Sequence, residues 1–182
     1  MARVLDGIDD ALAAWLAAQH MFFVGTAPLG ADGHVNVSPK GFAGSFVVLG
    51  THEVAYLDRI GSGAETVAHL RENGRITIMF CAFDGKPNIV RLYGRGRALR
   101  SGDDGFDALA ARFGDLPRGA RSIVHVVLDR VSDSCGFGVP FMSYDAERDT
   151  MATWVAKKTD DALADYVAEK NATSIDGLPA LG

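Results

Sequence analysis

The fold is decided by one stretch, residues 54–99, which reads VAYLDRIGSGAETVAHLRENGRITIMFCAFDGKPNIVRLYGRGRAL. It contains two long runs rich in β-branched and aromatic residues, Arg75 to Phe83 and Asn88 to Leu99, joined by Asp84-Gly85-Lys86-Pro87. Two such runs separated by a short turn sequence are typical of an antiparallel hairpin. We therefore predict that these runs form the longest hairpin of a β-sheet.

A short helix is predicted before this hairpin, over Ser62 to Glu72, because the apolar residues there have helical spacing and Asn73-Gly74 follows as a stop signal. Ser62 and Glu65 have the spacing of a capping box, in which each side chain accepts from a backbone N–H of the first turn. The same local geometry suits a phosphate, since glycines, hydroxyls and the positive end of the helix dipole meet there. Both interpretations remain open and are compatible.

Further strands and helices are predicted on both sides of this stretch. The predicted strands are 21–27, 34–38, 46–49, 54–57 and 122–131, and the predicted helices are 9–19, 103–113 and 160–170. At least six strands, several joined by short turns, predict a mainly β fold: an antiparallel split β-barrel with peripheral helices. We expect a single domain over 1–182, with the barrel core at about 20–131 and a C-terminal loop and helix at 132–182.

Composition limits the partners and the location. The chain has 182 residues, 48% of them hydrophobic, and its 18 basic and 23 acidic residues give a net charge of −5 without a basic block. We therefore expect no nucleic-acid partner and no membrane partner. Met1 to Gly7 has no charged leader before an apolar run, so we expect a cytoplasmic protein. Cys81 and Cys135 lack partners at metal-ligand spacing and are predicted to be free thiols.

Several other segments have two possible interpretations. Arg91, Arg95 and Arg97 alternate along one strand, which predicts either a solvated face or an anion-binding or partner surface. The segment Ser134 to Pro140 is either an ordinary loop or a place where backbone approaches a flat ligand. The five histidines show no metal-ligand spacing, so no metal site is predicted, and no catalytic residue is identified.

Taken in order, these segments resemble the pyridoxamine 5'-phosphate oxidase-like flavoproteins. The resemblance rests on a strand ending in Asn36 to Gly41, the strand Val54 to Asp58, the helix start Gly61 to Leu70, Asn73-Gly74-Arg75, and the hairpin strands Ile76 to Phe83 and Ile89 to Gly96. It covers about residues 15 to 131. Ser134 to Pro140 and Ser174 to Pro179 resemble an uncharacterised bacterial branch of the family. The resemblance implies the FMN-binding split barrel, with FMN held at a homodimer interface.

The resemblance also implies which residues contact FMN. The strand around Asn36 to Lys40 would lie along the isoalloxazine ring and ribityl chain, and the segment Leu57 to Thr66 would surround the phosphate. The implied cofactor-binding residues are Val37, Ser38, Lys40, Leu57, Asp58, Arg59, Ser62, Gly63 and Thr66. One departure is that Gly63-Ala64 stands where the vitamin-pathway enzymes have adjacent basic residues, so phosphate binding must depend on Lys40, Arg59 and backbone N–H groups.

The implied function is that of an FMN-dependent oxidoreductase, which transfers hydride between the flavin and a nicotinamide cofactor or a small organic substrate. A second departure argues against pyridoxamine 5'-phosphate as that substrate, because the C-terminal Arg-x-His motif has no match after Pro140. The alternative is a binding or sensor protein without turnover, which would hold flavin, a deazaflavin or haem. His20, His34 and His69 are the candidate axial ligands for haem.

Overall fold

The computed structural model describes residues 3–182, and its eight strands form one antiparallel sheet. The strands are β1 (Arg3–Leu5), β2 (Met21–Thr26), β3 (Asn36–Gly41), β4 (Phe46–Gly50), β5 (Glu53–Arg59), β6 (Arg75–Cys81), β7 (Ile89–Leu99) and β8 (Ala120–Ser134). Their order is β3-β2-β6-β7-β8-β5-β4, and β1 pairs with β8. The sheet curls into a half-barrel that has β3 and β4 at its two ends. This confirms the predicted split barrel.

The predicted long hairpin is confirmed as β6 and β7, which pair from Arg75↔Arg95 to Cys81↔Ile89. Strand β8 runs beyond its predicted limits because it pairs with β7 along its length, with β5 through its first half and with β1 near its end. The β7–β8 register shifts between Tyr93 and Gly94. A Cβ at Gly94 would lie 2.1 Å from the carbonyl oxygen of Val127, so only glycine fits this approach without backbone movement.

The core lies inside the curl of the sheet. It is formed by alternate residues of the strands, among them Val24, Ile78, Val90, Leu92 and Val124, all fully buried. Phe22 is packed against Phe46, Tyr56 and Phe80, with ring centroids 5.2 to 5.5 Å apart. These edge and offset contacts add to the stabilisation from burial.

Five helices lie outside the sheet: α1 (Asp10–Ala17), α2 (Glu65–Asn73), α3 (Phe106–Ala110), α4 (Thr150–Ala156) and α5 (Asp160–Lys170). The N-cap of α1 is Asp9, whose carboxylate accepts from Leu12 N at 2.8 Å. The C-cap of α2 is Gly74, which has a φ of 71° and whose N–H donates to Leu70 O. No helix within residues 3–182 combines the length and apolar character needed to cross a bilayer.

The predicted bounds of two elements, β3 and α3, were wrong. Strand β3 begins at Asn36 rather than His34 and continues to Gly41, because its pairing with β2 extends to Met21↔Gly41. Helix α3 is five residues long rather than the predicted 103–113; it begins after Gly105, which has a φ of 86°, and buries none of its residues. Helix α4 was not predicted from the sequence.

Candidate cofactor-binding site

A cavity of about 310 Å³ lies between β3, the end of β5 and the start of α2. Six of the nine cofactor-binding residues expected from the sequence line it: Ser38, Lys40, Leu57, Arg59, Gly63 and Thr66. Ten further residues complete the lining: Asn36, Pro39, Gly41, Phe42, Ile60, Gly61, Ala64, Glu65, Arg121 and Met151. The cavity therefore brings together segments that are up to 115 positions apart in sequence.

The other three expected residues lie outside this lining. Strand alternation places Val37 on the opposite face of β3 from Ser38, and its side chain is 67% exposed. Asp58 is fully buried behind the cavity wall. Ser62 is exposed in the loop before α2.

A buried carboxylate organises the positive charge of the wall. Asp58 accepts from Arg121 Nε at 2.7 Å and from Arg121 Nη2 at 3.4 Å, while Ser122 Oγ donates to it from 3.2 Å. Lys40 Nζ lies 3.4 Å from the same carboxylate. Because a buried ion needs a partner, Asp58 fixes two cations at the cavity wall. Burial raises the pKa of Tyr56 well above its ordinary value, and the nearby charge of Asp58 adds to this effect.

Arg59 occupies the mouth of the cavity beside Phe42. Its guanidinium carbon lies 4.5 Å from the centroid of the Phe42 ring, a cation–π distance. Phe42 itself has a φ of 75°, a left-handed conformation that is uncommon for an aromatic residue. Burial lowers the pKa of Arg59 below its ordinary value, and the nearby charge of Glu147 opposes this effect.

The capping box predicted for α2 is wrong. Ala64 is the N-cap, and no side chain caps it. Glu65 Oε2 accepts from Ala64 N at 2.9 Å, and Glu65 Oε1 accepts from Ile175 N at 3.2 Å. The carboxylate turns toward these two amides because the C-terminal segment packs against α2, and Ser62 has no part in the cap.

A chain of polar side chains leads from the cavity into the protein. Asn36 Nδ2 lies 3.0 Å from both Thr26 Oγ1 and Thr66 Oγ1, and Ser38 Oγ donates to Asn36 Oδ1 at 2.9 Å. Thr26 Oγ1 in turn lies 2.9 Å from Nδ1 of His69, which is fully buried. Burial lowers the pKa of His69, so this histidine is neutral at physiological pH.

The C-terminal segment forms part of the surroundings of the cavity. Asn171 Nδ2 donates to Gly61 O at 2.9 Å, and Ala180 and Leu181 pack against the buried face of α2. A second, more apolar cavity of about 400 Å³ shares Phe42, Ile60, Gly61 and Met151 with the first and is also lined by Trp154 and Tyr166. The rings of Trp154 and Tyr166 meet edge to face with centroids 5.0 Å apart, so Trp154 packs against Tyr166 and also lines this space.

Two of the candidate haem ligands, His20 and His34, contact other side chains. His20 stacks on Tyr144 with ring centroids 3.7 Å apart, and His34 Nδ1 lies 2.7 Å from the carboxylate of Asp176. Within residues 3–182, no cluster of three or more His, Cys, Asp or Glu side chains has a metal-binding arrangement.

Sequence reasoning missed several lining residues, and the reasons differ. Asn36 had a signal, because it alternates with Ser38 and Lys40 on one face of a strand. Arg121 had none, because it reaches the cavity from β8, about 60 positions beyond the other residues of the wall. Phe42 and Met151 likewise depend on how distant segments pack.

Comparison with known proteins places these features in a family. A sequence profile described as pyridoxamine 5'-phosphate oxidase matches residues 8–135. The chain is 37% identical over 193 residues to the pyridoxamine 5'-phosphate oxidase family protein ustO of Aspergillus flavus, covering 97% of this chain and 76% of that protein. Among solved structures, HupZ of Group A Streptococcus is similar in fold, with a TM-score of 0.53, 19% identity and coverage of 68% of this chain and 91% of that one. The FAD binding protein of Mycobacterium smegmatis aligns at a TM-score of 0.49 and 19% identity, covering 71% of this chain and 97% of that one.

Proposed function

The chain belongs to the pyridoxamine 5'-phosphate oxidase family, and we propose that it is a flavoprotein that binds FMN in the 310 Å³ cavity and uses it as an oxidoreductase. The family binds FMN. The observation that supports the proposal is the coincidence of this cavity with the two segments that the resemblance assigns to the cofactor. Six of the nine expected residues share its lining.

The residues present fit a phosphorylated, partly polar ligand. Lys40, Arg59 and Arg121 give the cavity three cations, and Asn36, Ser38 and Thr66 offer hydrogen-bonding groups along one side. One buried donor of Arg121, Nη1, has no hydrogen-bond partner within residues 3–182. Buried donors without partners cost free energy, and a ligand oxygen would supply the missing acceptor.

When bound, FMN would supply the hydride chemistry, and the protein residues would bind and orient it. Ser38 and Lys40 of β3 would hold the ribityl chain and the ring edge, and Leu57 would line the same cavity. The Asp58 carboxylate holds Lys40 in place. No side chain is required as an acid or base, so no catalytic residue is assigned.

The second substrate is proposed to be a nicotinamide cofactor or a small organic molecule. Pyridoxamine 5'-phosphate is disfavoured, because the sequence after Pro140 contains a single arginine, Arg148, and no histidine. The aromatic cavity that adjoins the site is suited to the second substrate, since Trp154 and Tyr166 form an apolar wall beside Met151.

We also propose a homodimer in which the flavin contacts both chains. A volume of about 310 Å³ is at the small end of ligand cavities, so a second copy would complete a site for the three-ring isoalloxazine. The segment after β8 exposes large apolar side chains: Phe137 is 83% exposed and Phe141 is 84% exposed. Pairing two copies would cover this surface and protect the sheet edges. A cytoplasmic location is proposed from the acidic composition and the two free thiols.

Absorbance spectroscopy tests the enzymatic proposal. Purified protein reconstituted with FMN should show flavin bands that bleach when NADPH or NADH is added without oxygen, and the colour should return when air is admitted. Flavin bands that persist with both reductants would indicate a binding protein instead. Hydrogen peroxide release with pyridoxamine 5'-phosphate should remain far below that of an authentic oxidase measured alongside.

Sedimentation tests the dimer. Flavin absorbance should move with the dimer and should leave it when dilution dissociates the two chains, because a ligand that requires both chains stabilises their association. A monomer that retains full FMN occupancy would contradict the shared site.

A further inference from the structure

We infer that the anionic end of the ligand is bound by Arg121 and Arg59, on the wall built by β5 and β8, and not by the first turn of α2. The inference rests on the proposed flavin-nucleotide function, which supplies the anion. It moves the phosphate subsite away from Ser62, where the local sequence pattern had placed it. It also adds Arg121, which no local pattern indicated.

Arg121 carries a buried donor in the wall of the cavity. Its side chain is 8% exposed, and one edge of its guanidinium, Nε and Nη2, donates to Asp58. Its remaining nitrogen, Nη1, is buried, and no acceptor within residues 3–182 reaches it. Arg121 also lines the cavity. A guanidinium anchored on one edge presents the other edge in a fixed direction, which is the geometry that binds phosphate oxygens.

Arg59 supplies a second donor of the same kind. Its Nε is buried without an acceptor in the described part of the chain, and its guanidinium is held over Phe42. Arg59 and Arg121 come from the paired strands β5 and β8, where Arg59 lies opposite Ala120. Two arginines fixed by neighbouring strands therefore line one cavity.

The balance of charge around the cavity also favours an anion at this wall. Lys40 and Arg121 share the single carboxylate of Asp58, and Arg59 forms no salt bridge in the described residues. Among the residues that line the cavity, Glu65 is the one acid, and it directs its two oxygens at backbone amides of Ala64 and Ile175. On the β5–β8 wall, Arg59 and Arg121 face the one buried carboxylate of Asp58, and Glu147 is the further acid whose charge reaches Arg59. A phosphate would add the acceptor oxygens that the buried donors of both arginines lack.

The first turn of α2 is a poorer place for the same group. The Glu65 carboxylate already accepts from the amide at the N-cap, so a phosphate bound there would lie beside a like charge. Ser62, whose hydroxyl was expected to assist, is exposed and does not line the cavity. The N-cap amide of α2 is thus already bonded to a carboxylate of the chain itself.

Comparing FMN with riboflavin isolates the phosphate subsite, because the two differ only in that group. We expect Arg121→Gln to weaken FMN binding by roughly tenfold to a hundredfold, the range for one charge-assisted hydrogen bond, and to leave riboflavin binding nearly unchanged. Dissociation constants from quenching of flavin fluorescence would give the ratio of FMN affinity to riboflavin affinity, and this ratio should fall in the variant. Arg59→Gln should change the ratio in the same direction.

Three further variants make the test decisive. Asp58→Asn combined with Arg121→Gln removes the buried charge and its partner together, so a folded protein is available if the single variant unfolds. Arg97→Gln changes the net charge equally on an exposed side chain outside the cavity and should leave the ratio unchanged. Ser62→Ala should also leave it unchanged.

The outcomes separate the inference from the function on which it rests. An unchanged FMN-to-riboflavin ratio in the Arg121 variants, or a ratio that falls with Ser62→Ala instead, would overturn the inference while FMN binding stood. Failure of the wild-type protein to bind either flavin would refute the proposed function and the inference with it.

Discussion

The barrel strands and the segment after them are held in different ways. Strands β7 and β8 pair along the full 11 residues of β7, and every second residue of β7 from Val90 to Gly96 is buried. Residues 140–150 are all exposed, α5 buries none of its residues, and α4 buries only Val155. The family profile ends at 135, close to the end of β8. The barrel is therefore held together by a continuous ladder of backbone hydrogen bonds and a continuous core, whereas the C-terminal segment is attached at separate points.

Side-chain truncation gives the largest expected contrast between the two regions. Leu92→Ala, in the fully buried core, should lower the free energy of unfolding by about 2–5 kcal/mol, because it removes apolar contacts and leaves a cavity. Phe141→Ala, at a side chain 84% exposed, should change it by less than about 0.5 kcal/mol in the monomer. Urea denaturation of both variants at a concentration that favours monomer measures this. Equal losses would contradict the division into two regions.

Replacing one glycine by alanine in each region gives a second contrast in stability between the barrel and the C-terminal segment. Gly94→Ala places a Cβ against the backbone of β8, 2.1 Å from Val127 O, and should cost about 1–3 kcal/mol or more. Gly138→Ala is the matched control in the C-terminal segment, where nothing lies within 4 Å of the added Cβ, and should be close to neutral. Thermal unfolding followed by circular dichroism would report both. A tolerated Gly94→Ala would contradict the close approach of β7 to β8.

Helix caps test whether a local contact is coupled to the core. Asp9→Ala should cost about 1 kcal/mol of global stability, because Asp9 caps α1 and α1 buries Leu16 in the core. Thr159 caps α5 in the same manner, accepting from Ala162 N at 3.2 Å. Thr159→Ala should loosen α5 without changing the midpoint of barrel unfolding. Hydrogen exchange resolved by segment distinguishes the two, and an equal shift of the barrel amides in both variants would contradict the separation.

The smallest expected effect is that low pH weakens the contact of Asp176 with His34, which attaches the C-terminal segment to the barrel. Hydrogen bonds from His34 lower the pKa of Asp176 below its usual 3.8, so this contact stabilises the attachment above that pH. The contribution is lost as the pH falls through the lower, folded-state pKa. Amides of residues 174–178 should therefore exchange faster below about pH 4, relative to barrel amides. Asp176→Asn should show the faster exchange already at neutral pH and lose the pH step.

Much of the barrel could be predicted from the sequence because its signals are local. Alternation and turn residues located the β6–β7 hairpin, and the end of β5 and start of α2 were found within a few positions. The missed boundaries have tertiary causes: β8 is lengthened by three partner strands, and α3 is cut short where it has nothing to pack against.

The candidate site was only partly predictable. The segment Ser38 to Lys40 was located by its place at the end of a strand, and the alternation of β3 then excludes Val37 from the cavity. The capping box failed because the spacing of Ser62 and Glu65 permits several partners. Packing of the segment around Ile175 against α2 decided that Glu65 binds amides on both sides.

The sequence alone was enough to predict the β6–β7 hairpin, the mainly β class and the segments that meet at the cavity, because periodicity and turn chemistry act over a few residues. Tertiary structure alone decided the charge arrangement of the wall. Asp58 joins Lys40 and Arg121 across 18 and 63 positions, and this depends on the register of β5 against β8 and on the burial of the carboxylate. Long-range register and burial have no local sequence signature, because each is a property of surfaces that exist only after the sheet has formed.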